Sequence, residues 1–164
     1  MPRARPLIVR PDEGKRVSLY DVRFRFLVES ADAGGVLAMV ETEIPPGTLV
    51  KPHRHTREDE FSYVLSGVVG ARLGDTEVEL PAGSAIVKPS GQPHALWNRG
   101  PAAARVLEIL APGGFERYFE EIAPVLMQHG EAVEARFYEL AQQYAIEIMD
   151  DWVGDLEARY GVKL

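Results

Sequence analysis

Three of the four histidines in this 164-residue chain, His53, His55 and His94, fall inside two spaced patterns. The first runs Gly47-x5-His53-x-His55-x4-Glu60-x6-Gly67, and the second runs Gly83-x5-Pro89-x-Gly91-x2-His94-x3-Asn98. Residues two apart on a strand project to the same face, so His53 and His55 can aim at one centre there. On a helix the same spacing turns them roughly 200° apart. Pro45, Pro46, Gly47 and Pro52 lie just upstream and argue against a helix. An extended chain carries Glu60 about 16 Å beyond His55, at about 3.3 Å per residue. The polar stretch Thr56-Arg57-Glu58-Asp59 suits a reversal that brings Glu60 back, and His94 arrives on a later strand after the Pro89–Pro93 turn. Three neutral imidazoles and one carboxylate can hold a single divalent cation with a net charge of about +1; such ligands suit Fe, Ni, Mn, Co or Zn. No thiolate narrows the choice, because the chain has no cysteine.

These ten positions resemble, at every defining residue, the two signature motifs of the cupin superfamily. The resemblance implies an all-β fold, a small antiparallel β-barrel of jelly-roll type, with a metal held near its mouth by the residues corresponding to His53, His55, Glu60 and His94. Among the consecutive acids Glu58, Asp59 and Glu60, motif spacing selects Glu60, with six residues between it and Gly67. Glu58 and Asp59 are then expected as exposed turn residues. His129 fits neither motif and is expected on the solvated surface. Asn98 and the motif glycines read as turn and bend chemistry.

The elements that position these residues are legible from alternation. Val22–Val28 alternates apolar and charged residues, and Val36–Ile44 follows the Ala33-Gly34-Gly35 turn. Phe61–Leu65, Val68–Leu73 and Thr76–Leu80 are joined by Ser66-Gly67 and by Gly74-Asp75, a tight-hairpin signal. Ser84–Val87, His94–Asn98 and Ala103–Leu110 complete about nine short strands, a rhythm that suits a sandwich or barrel. With Glu60 and His94 facing inward, Ser62, Val64 and Leu96 face inward too and form an expected substrate pocket. Phe61, Tyr63 and Trp97 face the other way. Against this stands a barrel that fills itself with side chains and leaves no room for a ligand.

The texture changes after Pro112-Gly113-Gly114, giving three expected segments: an N-terminal arm at 1–16 broken by Pro2, Pro6 and Pro11, the barrel at 17–112, and a C-terminal α-helical extension at 113–164. Phe115, Tyr118, Phe119 and Ile122 recur at helical spacing, with Pro124 as a stop or kink. Val133, Phe137, Leu140, Tyr144 and Ile148 form one stripe of a longer helix, and Val153, Leu156 and Tyr160 a last short one with Gly161 as its C-cap. The aromatic stripe suits packing on the outer face of the sheet or on a partner subunit; a lid over the barrel mouth is the other reading.

Composition excludes several function classes. The net charge of −7 comes from the C-terminal segment: residues 1–110 hold 14 Lys/Arg and 14 Asp/Glu, whereas 111–164 hold 4 against 11. An acidic segment of this kind argues against nucleic acid as a partner. The apolar run Leu7-Ile8-Val9 near Arg3 and Arg5 is shorter than a secretory leader's apolar region, so export by that route is not expected, and no stretch approaches the ~20 apolar residues of a membrane span. Lack of cysteine suits the cytoplasm. No G-x-S-x-G nucleophile motif and no phosphate-cradling glycine loop is present.

Phe61-Ser-Tyr-Val-Leu-Ser-Gly67, Pro93-His-Ala-Leu-Trp-Asn98 and Phe115-Glu-Arg-Tyr-Phe-Glu-Glu121 further resemble bacterial single-domain cupins grouped with quercetin 2,3-dioxygenase. That resemblance implies a metal-dependent dioxygenase acting on a small aromatic or enolic substrate, with Glu60 as both ligand and catalytic base, and a homodimer formed through sheet contacts. A non-catalytic metal or small-ligand binding protein and a metal-dependent isomerase or lyase are the alternatives.

Overall fold

Two six-stranded antiparallel sheets face each other and carry the chain's chemistry between them. The structure, a computed structural model, describes residues 6–164. Pro2, Arg3 and Arg5, named above for the N-terminal arm, lie outside the described residues. From the N-terminus run β1 (Arg16–Leu19), β2 (Val22–Val28), β3 (Ala38–Ile44), β4 (Thr48–Leu49), β5 (His53–His55) and β6 (Asp59–Ser66). Next come β7 (Val68–Leu73), β8 (Thr76–Pro81), β9 (Ala85–Lys88), β10 (His94–Asn98) and β11 (Ala104–Ala111). The chain ends with α1 (Glu116–Leu126), α2 (Glu131–Gln143), β12 (Ile146–Ile148), a 3-10 turn at Asp150–Trp152 and α3 (Val153–Tyr160).

One sheet has the order β1-β2-β3-β11-β6-β9, and the other β12-β5-β10-β7-β8 with β4 also paired to β10. The result is a jelly roll with C-terminal helices. Alternation decides the faces, as on β6, where Glu60, Ser62 and Val64 are buried while Phe61, Tyr63 and Leu65 are exposed. The lower half is a filled core of Ile44, Val64, Val69, Ile86, Leu96 and Val106. Removing such apolar surface from water is the main force holding the sheets together, at roughly 25 cal/mol per Å².

Strand β10 is buried along its whole length because it is covered on both faces. Leu96 enters the core between the sheets; Trp97 points outward and is covered by α3, packed with Leu49, Leu156 and Val162 and stacked on Tyr160 at 4.4 Å. The indole fits because β7 presents Gly70 opposite it: a Cβ there would lie 2.0 Å from Trp97 Nε1.

The C-terminal segment departs from expectation. The helix expected to run through Ile148 stops at Gln143, and Ala145 takes a left-handed backbone, φ 54°. Ile146–Ile148 then joins the edge of β5 as a strand, Ile146 opposite His55 and Ile148 opposite His53. The tertiary demand is clear: β5 is a three-residue strand whose free edge needs backbone partners, and the β-branched Ile-x-Ile supplies them. The extension is therefore stitched into the sheet, and Thr48 bridges to Lys163 as well. Pro124 lies inside α1, which ends two residues later. Residues 36–37 precede β3, which starts at Ala38 rather than at Val36, and β1 begins at the boundary of the expected arm. No helix among the described residues is long and apolar enough to cross a membrane.

Gly70→Ala is expected to destabilise the fold by about 1–3 kcal/mol through overpacking against Trp97, read as a lower urea midpoint. An unchanged midpoint contradicts the packing described.

Candidate metal centre

Strand register brings the four motif residues to one place. β5 lies between β10 and β12, and His53 sits directly opposite His94 across the β5–β10 pair. Glu60 enters from the facing sheet near the start of β6. The loop carrying Gly91 is tied to β5 by Gly91 N–H donating to His55 O at 2.7 Å; Gly91 has φ 84°, a left-handed backbone that glycine adopts without a Cβ penalty. One ligand atom from each of His53, His55, Glu60 and His94 falls within 4.8 Å of the others. All but the half-buried His53 are buried.

The ring nitrogens show what the cluster is built to hold. His53 Nδ1 donates to Lys51 O at 2.6 Å, and His94 Nδ1 to Gln92 O at 3.0 Å. Those bonds fix the proton on Nδ1 and leave the Nε2 lone pairs free. The two Nε2 atoms then face each other at 3.2 Å. Glu60 Oε2 is buried, 3.1 Å from His94 Nε2 and 3.4 Å from His55 Nε2. Facing lone pairs beside a carboxylate oxygen repel unless a cation lies among them. At Zn–N distances of about 2.0–2.1 Å, tetrahedral ligand atoms stand about 3.4 Å apart, so this donor set fits a divalent transition metal.

Electrostatics favour the ligand forms. Burial, reinforced by His94 and His55, holds His53 well below the ordinary imidazole range. Burial and the Lys88 ammonium lower His94 in the same direction. For Glu60, burial pushes the pKa up, but Lys88, His55 and His94 outweigh it and keep the carboxylate ionised.

Three further charged residues, missed by the motif reading, surround the cluster. Glu58, expected as an exposed turn residue, is buried with 3% exposure because the reversal tucks it under His55. Its Oε2 lies 3.7 Å from His55 Nδ1, beyond hydrogen-bond length, and neither atom has a hydrogen-bond partner. Glu58 is thus the carboxylate that faces the far side of a ligating ring and orients it. Lys88, directly across from Glu60 in the β6–β9 register, is 2% exposed and places Nζ 3.0 Å from Glu60 Oε2. Its other partner is Glu108 Oε2 at 3.3 Å, which also accepts from Ser62 Oγ at 2.5 Å. Burial pushes Glu108 up to about 7, with Glu60 adding to the rise and Lys88 opposing it. A sequence signal existed for two of these: Lys88 follows Ile86, and Glu108 follows Val106, on the inward, apolar phase of their strands.

The centre opens into a cavity of about 810 Å³ whose wall is mainly apolar. Of the three expected pocket residues, Leu96 lines it, whereas Ser62 and Val64 do not. Ser62 is spent on Glu108 and Val64 belongs to the filled core. The wall comes instead from α1. Phe115 sets its ring edge-on to His55 at 4.3 Å, Tyr118 stacks on Phe115 at 5.2 Å, and Phe119 stacks on Phe24 at 4.2 Å. The aromatic stripe therefore closes over the centre rather than packing outside the sheet, because the space above the ligands is apolar and α1 covers it. His129 is exposed at the cavity rim.

Residues 40–110 match the family model described as Cupin domain. Germin-like protein 3-1 of Oryza sativa subsp. japonica is 39% identical over 82 residues, covering 47% of this chain and 36% of that protein. Tetracenomycin polyketide synthase protein TcmJ of Streptomyces glaucescens is 34% identical over 70 residues, covering 43% of this chain and 47% of that protein. The matches thus span less than half the length of these two relatives. The solved structure of KdgF from Halomonas sp. superposes with a TM-score of 0.62 at 19% identity, covering 69% of this chain and 99% of that one, a likeness of fold.

Glu58→Gln is expected to weaken zinc binding by about 10- to 100-fold, measured by competition with a chromophoric chelator; unchanged affinity contradicts the role given to Glu58. Because burial lowers the His53 and His94 pKa values, protons should compete with metal at these two ligands only below about pH 6.5. Metal content after gel filtration should then stay flat from pH 8 to about 6.5 and fall at more acid pH; loss already above pH 7 contradicts the assignment.

Proposed function

We propose that this chain, a member of the cupin superfamily, is a metal-dependent enzyme acting on a small aromatic or enolic substrate. The observation that carries the reading is the aromatic-walled cavity of about 810 Å³ whose lining includes the His53–His55–Glu60–His94 cluster. Held by those four side chains, a divalent transition metal supplies Lewis acidity that lowers the pKa of a bound hydroxyl or enol.

The chain's own residues do the rest. Phe115, Tyr118 and Phe119 offer ring faces and edges that flank a flat molecule and exclude water. Glu60 places a carboxylate oxygen among the ligands and receives the proton lost by the substrate. Behind it Lys88, already an ammonium, passes one of its own protons to Glu108 and takes up the proton from Glu60, so the charge of the layer balances. The substrate is left as an electron-rich enolate or phenolate in a dry, apolar site.

Addition of dioxygen to that carbon, with both oxygen atoms entering the product, is the leading reaction class; the resemblance to the quercetin 2,3-dioxygenase group supports it. A redox-neutral ring closure or isomerisation of the same anion is the second reading, favoured by the 34% identity to a polyketide synthase protein. A third, non-catalytic ligand binding, needs the cavity but not the proton path.

Oxygen-electrode traces with hydroxylated flavones and naphthols are expected to show substrate-dependent uptake that disappears on chelation. In Glu60→Gln the uptake should fall about 100-fold or more, in line with loss of a positioned base. Product formed under strict anaerobiosis favours ring closure or isomerisation. Thermal stabilisation by these compounds with no turnover in either atmosphere overturns the enzyme reading.

A further inference from the structure

Among the described residues, the hydroxyl of Tyr118 is the buried tyrosine oxygen of the cavity wall that no side chain or backbone group pairs with. Tyr118 lies on α1 with 5% exposure and lines the cavity. Its ring is one residue removed from the centre: Phe115 touches His55, and Tyr118 stacks on Phe115. The neighbouring hydroxyl of Tyr144, whose ring centroid is 5.7 Å away, is committed to Glu121. Among the described residues Tyr118 Oη has no hydrogen-bond partner. Unlike His55 Nδ1, Glu58 Oε2 and Trp97 Nε1, it is not fully enclosed.

Phenylalanine fits a purely apolar wall better, because a largely buried hydroxyl left without a partner is costly. Phe115, at the N-cap of α1, and Phe119 within it are of that kind. An oxygen at Tyr118 makes sense where a ligand supplies the partner. A tyrosine hydroxyl both donates and accepts, so it matches a carbonyl or a hydroxyl equally.

We propose that Tyr118 determines specificity by hydrogen bonding an oxygen of the substrate remote from the metal-binding end. This rests on the functional reading above and narrows it to extended aromatic molecules with oxygen functions at two places. One chelates at the His53–His55–Glu60–His94 cluster, and the second reaches the hydroxyl two rings along the wall. Between them the substrate is flat and apolar. Sites built around a ligand hydroxyl or carbonyl discriminate against analogues that lack it, because the site's own polar group is then stranded.

Two probes separate the possibilities, titrated into the zinc-loaded protein by fluorescence quenching. Alizarin carries a chelating oxygen pair and a further carbonyl across the ring system; 2,3-dihydroxynaphthalene carries the chelating pair alone. Tyr118→Phe, which keeps the ring, is expected to weaken alizarin about three- to tenfold and to leave 2,3-dihydroxynaphthalene and zinc content unchanged. An equal loss for both probes shows a packing defect and overturns the proposal, as does unchanged alizarin affinity. Wild-type protein that binds the naphthalene but not alizarin overturns it too, since the cavity then refuses the extended ligand. Wild-type protein that takes up zinc but neither probe overturns the functional reading itself, and one that takes up no zinc overturns the metal centre beneath both.

Discussion

Lone-pair repulsion among buried ligands is the constraint on which this structure depends. Two imidazole Nε2 atoms 3.2 Å apart, with a carboxylate oxygen 3.1 Å from one of them, do not collect in an apolar interior unaided. Carbonyl acceptors at Lys51 and Gln92 hold the protons on the outer ring nitrogens, and Glu58 faces the third ring. Strand pairing holds the backbone behind the rings: β5, only three residues long, is gripped by β10 on one side and β12 on the other. Each of these supports is rigid, and together they keep the donors pointed at one position ready for a cation.

The same frame divides the interior by chemistry. Below the cluster the sheets fill their own space with branched aliphatic side chains; above it the aromatic face of α1 leaves a cavity. Between the two lies a charged layer, Glu60, Lys88 and Glu108, with Ser62 completing the hydrogen bonding. Buried charges are tolerated only when paired, and here one ammonium serves two carboxylates. The arrangement fastens Glu60 in place and keeps its carboxylate ionised in the resting protein.

The helical extension belongs to the site as much as the sheets do. Phe115 contacts a ligand ring directly, Ile146 and Ile148 pair with the ligand strand, and α3 covers Trp97 on the outer face of β10. A change in this segment therefore reaches the centre through packing, even though none of its residues belongs to either motif. Its acidic surplus sits mainly on exposed positions such as Glu134, Glu139 and Asp151.

Much of this was legible in the chain. Glycine and histidine spacing located the ligands, and period-two alternation assigned Glu60, Val64 and Leu96 to the inside and Phe61 and Tyr63 to the outside, because a strand's side-chain period is a local property. Glu58 was misjudged because its burial arises from how the reversal after β5 tucks it under His55, which local polarity does not reveal. Ile146–Ile148 was read as helix because its spacing fits both a helical stripe and a two-residue alternation; the vacant edge of β5 decided for strand. Ser62 faced inward as alternation required, yet register set it opposite Glu108 and took it out of the cavity wall. The sequence by itself thus determined which atoms bind and which face they share. Only the tertiary structure decided what stands around them, since the cavity, the charged layer and the covering aromatics are set by contacts between residues far apart in the chain.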